Sequence, residues 1–175
     1  MKIGLIRHFK VKYTLPKKTF LTRSDLIRWF DEYELNDVEH NEVDLRGIAW
    51  KRCFSSPVNR AIYTAEQIHT GEIVKVPELK ELDILHLMWG KIKLPLILWI
   101  ILVRMKSSSS NEVTHEFRKK ITAFVDELLL KSNEDTLIVS HGFVMMFLQK
   151  ELNRRGFKGD RFRTPENGKA YIYER

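Results

Sequence analysis

The stretch SSPVNRAIYTA, residues 55–65, joins a short apolar run to a helical pattern. Ser56 is a residue type favoured at a helix N-cap, and Pro57 is favoured at the first helical position. The sequence therefore predicts a helix over Pro57–His69 that begins directly after a strand. Arg60 lies in the first turn of this helix, where a guanidinium and free backbone N–H groups can bind an anion together.

On both sides of this stretch, short apolar runs alternate with longer helical patterns, which predicts an α/β domain. The runs are nearly continuous rather than alternating, as expected for strands that helices cover on both faces. The predicted strands are Lys2–Arg7, Arg52–Ser55, Ile73–Val76, Thr136–Ser140 and Ala170–Tyr173. The other predicted helices are Ser24–Leu35, Glu112–Lys131 and Gly142–Leu152, and Asn167-Gly168 predicts a turn.

The composition fits one globular domain, with 175 residues, 43% hydrophobic and 30% charged. Cys53 is the one cysteine, which excludes an internal disulfide and fits a reducing, cytoplasmic location. We expect no secretory signal, because Lys2, Arg7 and His8 interrupt the apolar run at the N-terminus. The formal net charge of +7 favours an anionic partner without choosing among phosphorylated metabolites, nucleic acid and membranes.

Charged side chains follow the apolar runs at the ends of three predicted strands. Arg7 ends the first strand and His8 follows it, Arg60 lies in the first turn of the helix after the second strand, and His141 follows the strand Thr136–Ser140. Because the carboxyl ends of parallel strands meet at one edge of a sheet, these side chains are predicted to share a pocket. Guanidinium groups pair with phosphate oxygens, and neighbouring arginines keep an imidazole neutral and nucleophilic. This set lacks a proton donor for a leaving alcohol.

Four motifs occur in a fixed order, LIRH (5–8), SSPVNRAIYTAEQI (55–68), ELKELD (78–83) and LIVSHG (137–142). Together they resemble the histidine phosphatase superfamily, also called the phosphoglycerate-mutase-like family. The SSPxxRAxxTA pattern is the specific one, whereas RH and SHG are weak signals alone. The resemblance spans nearly the whole chain. It implies one domain over residues 1–175, a three-layer α/β/α sandwich with a mostly parallel central sheet, and a variable insert around residues 84–110.

The resemblance assigns a role to each residue of the predicted pocket. The nucleophilic histidine of the family falls on His8, and the arginine before it, Arg7, is its phosphate-binding partner. The arginine of the second motif falls on Arg60, which also binds phosphate. The histidine of the last motif falls on His141, which implies both phosphate binding and a catalytic role.

The family's acidic proton donor is best matched by Glu81 in PELKELD, with Glu78 and Asp83 in reserve. The implied mechanism is an in-line attack by His8 on phosphorus, protonation of the leaving alcohol by Glu81, and hydrolysis of the phosphohistidine. No metal or cofactor is expected, because the arginines and His141 balance the developing charge.

The first motif departs from the family pattern. The family has a glycine after the histidine, then a threonine and an asparagine, whereas this chain has Phe9, Val11 and Thr14 at those positions. Thr14 can keep a hydroxyl contact with phosphate, whereas Val11 cannot. Phe9 is expected to narrow the pocket or reshape its loop. The stretch that follows the acid, DILHLMWGK at residues 83–91, also departs from the family's sequence pattern.

The predicted function is a metal-independent phosphomonoester hydrolase that acts on a small phosphorylated metabolite. The alternatives are a phosphoglycerate-mutase-type transfer, dephosphorylation of phosphohistidine in proteins and, outside enzymes, a phospho-ligand-binding protein with degraded catalysis. Specificity is expected to reside in the Phe9–Thr22 loop and the Asp83–Ser110 insert. Nothing in the sequence specifies an oligomeric state.

The stretch LPLILWIILV, residues 94–103, is uncharged and mostly apolar. It is too short to span a bilayer, and Pro95 interrupts it, so no transmembrane segment is expected. It predicts a buried or lid-forming helix, and the alternative is a face for a membrane or a protein partner.

Two further patterns receive ordinary structural interpretations. The basic stretch Lys150–Arg163 contains Phe157 and Phe162, a composition that can bind single-stranded RNA. A solvated helix end and loop is its more common meaning, and no nucleic-acid partner is expected. Glu112 and His115 have the spacing of half a di-iron site, but the partner motif is absent from the sequence.

Overall fold

The computed structural model describes residues 1–13, 16, 19–81, 92–99, 101–102 and 111–175, with the backbone alone at 34, 35 and 111–113. The strands are β1 (Lys2–Arg7), β2 (Arg52–Ser55), β3 (Ile73–Lys75), β4 (Thr136–Ser140), β5 (Lys158–Gly159) and β6 (Ala170–Glu174). The helices are α1 (Arg23–Leu35), α2 (Asn59–Ile68), a 3-10 turn (Pro77–Leu79), α3 (Asn111–Lys131) and α4 (Gly142–Arg154). The range 96–102 is also helical where it is described.

The strands form one sheet in the order β3-β2-β4-β1-β6-β5. The pairings β3–β2, β2–β4 and β4–β1 are parallel, and the two that involve β6 are antiparallel. Arg7 pairs with Ser140 and Ser55 pairs with Val139, so β1, β2 and β4 end at the same level of the same edge. The register therefore brings the residues that follow these three strands together.

Helices cover both faces of the sheet. On one face, α3 and α4 pack on β1 and β4 in a cluster that includes Leu5, Ile121, Ile138 and Leu148. On the other face, α2 packs in a cluster that includes Ile6, Ala61, Ala65 and Val139. Successive strand residues such as Leu5 and Ile6 belong to opposite clusters because side chains alternate across a sheet. The predicted α/β/α sandwich with a mostly parallel sheet is confirmed.

The predicted bounds of β1, β2 and β4 are confirmed, whereas the predicted start of the second helix is wrong. Helix α2 begins at Asn59, and its N-cap is Val58, which makes no side-chain cap. The hydroxyl of Ser56 accepts from the amide of Val58 at 3.4 Å and lies closer, at 2.8 Å, to Nε2 of His141. A tertiary contact therefore uses the hydroxyl that the local pattern assigned to the helix.

Two short elements were not predicted. Val76 is the N-cap of the 3-10 turn, so β3 ends one residue earlier than expected. Strand β5 has two residues and pairs with β6 at the edge of the sheet. The single-domain organisation with its insert stays a prediction, because most of residues 84–110 lie outside the described part of the chain.

The described part of the apolar stretch 94–103 is buried on one side and exposed on the other. Trp99 is 3% exposed, and its indole N–H donates to the carbonyl of Leu21 at 2.8 Å. By contrast, the exposed fractions are 62%, 42%, 45% and 40% for Ile97, Leu98, Ile101 and Leu102. The buried Trp99 agrees with the predicted buried helix, whereas a membrane- or partner-binding role for the exposed side stays a prediction. Among the residues described, no helix is both long and apolar enough to cross a membrane.

The basic stretch Lys150–Arg163 contributes its aromatic rings to the interior. Phe157 is 2% exposed and belongs to the main core. Phe162 packs against that core, and its ring centroid lies 4.5 Å from that of Tyr171. Rings packed in this way do not offer the open faces on which nucleic-acid bases stack.

Candidate active site

Backbone hydrogen bonds hold the residues that follow β1 and β2 on either side of β4. The amide of His8 donates to the carbonyl of Ser140 at 3.0 Å, and the amide of Ser56 donates to that of Val139 at 3.0 Å. The residue directly after β4 is His141, which is the N-cap of α4. The ring centroids of His8 and His141 consequently lie 5.1 Å apart.

The hydrogen bonding of His8 determines which of its two ring nitrogens carries the proton and which keeps a lone pair. Its Nδ1 lies 2.6 Å from the carbonyl oxygen of Phe9, which can only accept, so Nδ1 carries the proton and Nε2 keeps its lone pair. Burial and the charges of Arg60 and Arg7 lower the pKa of His8 to about 3, although the Phe9 carbonyl opposes this. The imidazole is therefore neutral at physiological pH.

The backbone of the His8–Phe9 segment is held on both sides. Asn167 donates from Nδ2 to the carbonyl of His8 at 2.7 Å. The amide of Phe9 donates to Oγ1 of Thr64 at 2.9 Å, and that hydroxyl donates to the carbonyl of Arg60 at 2.7 Å. These bonds position the nucleophile candidate relative to the first turn of α2.

The side chain of Phe9 is fully buried and packs edge-on against His40, with 5.7 Å between the ring centroids. Gly168 has a φ of +66°, as its predicted turn requires, and a Cβ there would lie 3.0 Å from the Phe9 ring. The larger residue at position 9 is thus accommodated by the glycine at position 168. Val11 is also buried and pairs with Val38. Thr14, the other departure, lies outside the described residues.

Two guanidinium groups approach the histidines from different elements. Arg7, at the end of β1, donates from Nη1 to the carbonyl of Pro165 at 3.0 Å. A Cβ built on Gly142 would lie 3.5 Å from Cζ of Arg7, which therefore adjoins the N-terminus of α4. Arg60 is 8% exposed, and its Nη2 lies 3.4 Å from Nδ1 of His141. Both cations lower the pKa values of the two histidines.

His141 is completely buried between Ser56 and Arg60. A guanidinium can only donate, so Nδ1 of His141 accepts from Arg60 and Nε2 carries the proton toward Ser56. Burial, followed by the effects of His8 and the arginines, holds the pKa of His141 well below its usual value. Nδ1 is therefore the unprotonated nitrogen, on the side of Arg60.

Glu81 lies beside His141, with 3.8 Å between Oε2 and Nδ1. Its Oε1 accepts from the amide of Phe143 at 3.2 Å. Burial raises the pKa of this carboxyl, whereas the Phe143 amide, Arg60 and Arg7 oppose the rise. Because 39% of the side chain is exposed, solvent moderates the effect of burial. The carboxyl can thus donate a proton and keep access to water.

Of the two reserve acids, the structure describes only Glu78, which does not contact this group. Glu78 lines a separate cavity of about 580 Å³ together with Phe124 of α3 and Lys131. Asp83 lies outside the described residues. The described part of the chain also contains no cluster of three or more side chains suited to hold a metal ion.

The structure adds residues to the site that the sequence did not single out. Ser56 and Thr64 lie inside the motif SSPVNRAIYTA, so that pattern could have indicated them. The other two come from distant segments and have no sequence signal. These residues are Ser56, Thr64, Tyr33, whose ring centroid lies 5.5 Å from Cζ of Arg60, and Asn167.

A model of a known protein family matches most of this chain. The family model described as histidine phosphatase superfamily (branch 1) matches residues 37–174. Arg60, Glu81 and His141 lie inside the matched range, whereas Arg7 and His8 precede it. No curated protein matches the chain.

Two solved structures have a similar fold. A protein from Escherichia coli str. K-12 substr. MG1655, described as an α-ribazole-5′-P phosphatase, has 18% identity and a TM-score of 0.56, over 98% of this chain and 89% of the other. A phosphoserine phosphatase from Entamoeba histolytica, in complex with 3-phosphoglyceric acid, has 20% identity and a TM-score of 0.53, over 87% of this chain and 80% of the other.

Proposed function

The chain belongs to the histidine phosphatase superfamily, and from this premise we propose that it hydrolyses phosphomonoesters through a phosphohistidine on His8. The observation that carries the proposal is the state of His8. Its Nε2 has a free lone pair, its imidazole is neutral, and burial together with two guanidinium groups lowers its pKa. A neutral imidazole among phosphate-binding cations is the arrangement that nucleophilic attack on a phosphoryl group requires.

In the first step, Nε2 of His8 forms a bond to phosphorus as the bond from phosphorus to the ester oxygen breaks. Glu81 gives its proton to that oxygen, so the alcohol leaves neutral. Arg7 and Arg60 bind the equatorial oxygens throughout. A bound phosphate dianion favours protonation of His141: Nδ1 takes a proton from solvent, gives up its hydrogen bond with Arg60 and donates to an equatorial oxygen.

In the second step, Glu81 is a carboxylate and takes a proton from a water molecule as that water attacks phosphorus. The bond between Nε2 of His8 and phosphorus breaks, inorganic phosphate leaves, and Glu81 is protonated again. The partial exposure of Glu81 supports this step, because the attacking water must reach the carboxylate.

Hydrolysis is favoured over simple phosphate binding by two observations. The position of Phe9 was one reason to expect degraded catalysis, but its side chain packs against Gly168 and its carbonyl binds His8. The altered acid region was the other reason, and Glu81 nevertheless lies beside His141. Mutase-type transfer and dephosphorylation of protein phosphohistidine use the same groups and are distinguished by the substrate. We propose a small phosphorylated molecule as the substrate.

Phosphate release from an aryl phosphate in the presence of a chelator tests the proposed function. We expect turnover that is unchanged by the chelator, because the arginines and His141 balance the charge of the transition state. Stabilisation of the fold by inorganic phosphate without turnover of any phosphomonoester would indicate a binding protein instead. Loss of turnover with the chelator, restored by a divalent metal, would contradict the metal-independent mechanism.

The pH dependence of kcat/KM for an activated aryl phosphate, whose leaving group needs no proton from Glu81, tests the state of His8. The free enzyme needs His8 neutral, and a pKa of about 3 means that protonation inactivates it only as the pH falls toward that value. We therefore expect kcat/KM at about pH 5 to equal that at neutral pH, once the ionisation of the substrate is subtracted. A loss centred near the ordinary histidine value of 6.5 would contradict the assignment.

A further inference from the structure

Four aromatic side chains from helix α1 and the segment before it form a continuous group, named here the aromatic wall. It consists of Tyr13, Trp29, Phe30 and Tyr33. The ring centroid of Tyr13 lies 5.6 Å from that of Trp29 and 5.2 Å from that of Tyr33. Trp29 and Tyr33 are one helical turn apart, and their centroids are separated by 5.8 Å.

The aromatic wall begins inside the proposed active site. Cζ of Arg60 lies 5.5 Å from the ring centroid of Tyr33. Burial raises the pKa of the Tyr33 phenol, and the charges of Arg60, Arg7 and Glu81 also act on it. Because the charge of Glu81 acts on the Tyr33 phenol, Tyr33 lies near the carboxyl that is proposed to protonate the leaving oxygen. The wall therefore adjoins the part of the site where the alcohol is proposed to depart.

The aromatic wall is accessible from solvent at Tyr13, whose ring packs directly against that of Tyr33. Tyr13 is 43% exposed, and the other three rings are half-buried. Trp29 and Phe30 are supported from behind by the cluster of Leu21, Leu26 and Trp99. Single exposed apolar residues are ordinary, but several contiguous aromatic rings beside a charged site are typical of a binding surface.

We propose that the aromatic wall binds the alcohol part of the substrate, which is therefore a phosphomonoester carrying an aromatic ring or another large apolar group. The proposal rests on the proposed hydrolysis at His8, since it concerns the leaving group of that reaction. The arginines bind the phosphoryl group, and the rings of Tyr33, Trp29 and Tyr13 contact the apolar group along its length. A short hydrophilic alcohol leaves this surface unused.

Two alkyl phosphates with leaving alcohols of similar acidity test the proposal. For the wild type, kcat/KM for 2-(2-naphthyl)ethyl phosphate is expected to exceed that for ethyl phosphate about tenfold or more. Replacement Tyr13→Ala removes an exposed ring of the wall and should reduce this ratio several-fold. The matched control is Tyr63→Ala, a tyrosine of α2 that is 41% exposed, and it should leave the ratio unchanged. Equal rates for both esters, or equal effects of both replacements, would overturn the proposal.

A binding measurement separates this proposal from the proposed hydrolysis. The corresponding naphthylethyl and ethyl phosphonates cannot be hydrolysed, and calorimetry gives their affinities. Tighter binding of the naphthyl compound, lost in Tyr13→Ala, supports the wall even if neither ester is turned over, and in that case hydrolysis is the part that is wrong. Turnover of both esters at equal kcat/KM, with equal phosphonate affinities, leaves hydrolysis standing and overturns the wall.

Discussion

Replacing His8 with alanine is expected to abolish phosphate release, with a loss in kcat of at least about 10⁴-fold. The reason is that Nε2 of His8 is the proposed atom that bonds to phosphorus, and alanine offers no substitute. The measurement is turnover of an aryl phosphate, combined with rapid acid-free quenching to detect an acid-labile phosphoryl group on the protein. The wild type should show this group, and His8→Ala should not.

The control for this experiment is His115→Ala, which removes an exposed histidine of α3. This variant should retain wild-type turnover, because His115 lies in the helical layer and not at the sheet edge that carries the candidate site. Both variants should unfold at denaturant concentrations close to that of the wild type, which separates lost chemistry from lost structure. Phosphate release that survives His8→Ala would assign the nucleophile to another residue.

The predictable part of this structure is the part governed by continuous apolar runs. Strands β1, β2 and β4 were predicted with correct bounds because each is a buried run that ends at polar residues. Their parallel register then places Arg7 opposite Ser140 and Ser55 opposite Val139. Convergence of the residues at their ends follows from the topology alone, which is why a pocket could be inferred without coordinates.

Features set by tertiary contacts were not predictable from local patterns. Ser56 has the right type and position for an N-cap, yet its hydroxyl bonds to His141, 85 residues away in the sequence. Phe9 was expected to affect the pocket through its side chain, whereas the group that binds His8 is its carbonyl. Any residue at position 9 has a backbone carbonyl, so the sequence gives no sign of this hydrogen bond to His8. The departure from the family's glycine therefore suggests a larger change at the site than the structure has.

The aromatic wall likewise depends on tertiary contacts that local sequence patterns do not predict, here between segments further apart in the chain. Tyr13 belongs to the Phe9–Thr22 segment in which specificity was expected, but Trp29 and Tyr33 belong to α1. Their spacing predicts neighbouring positions on a helix and does not indicate that Tyr33 would lie over Arg60. The sequence therefore predicts the phosphate-binding half of the site, whereas the surface proposed for the leaving group emerges only when α1 is placed against α2.

Replacing Glu81 with glutamine is expected to affect substrates according to their leaving groups. For an alkyl phosphate, kcat should fall by about 10²–10⁴-fold, because the departing alkoxide needs the proton that glutamine cannot supply. For an activated aryl phosphate, the first step needs no proton, and only hydrolysis of the phosphohistidine is slowed. Rapid-mixing measurements should then show a burst of the aryl alcohol equal to the enzyme concentration, followed by slow turnover.

Glu78→Gln is the matched control for this experiment, because it removes a carboxylate only three residues earlier that lines a separate cavity. It should retain wild-type rates with both substrates and show no burst of its own. The burst distinguishes a proton donor from a residue that merely orients the substrate, since loss of orientation slows both steps for both leaving groups. If Glu81→Gln reduces turnover of alkyl and activated aryl phosphates equally and without a burst, then Glu81 is not the acid. In that case the proton must come from another carboxyl, and Asp83 would be the next to replace.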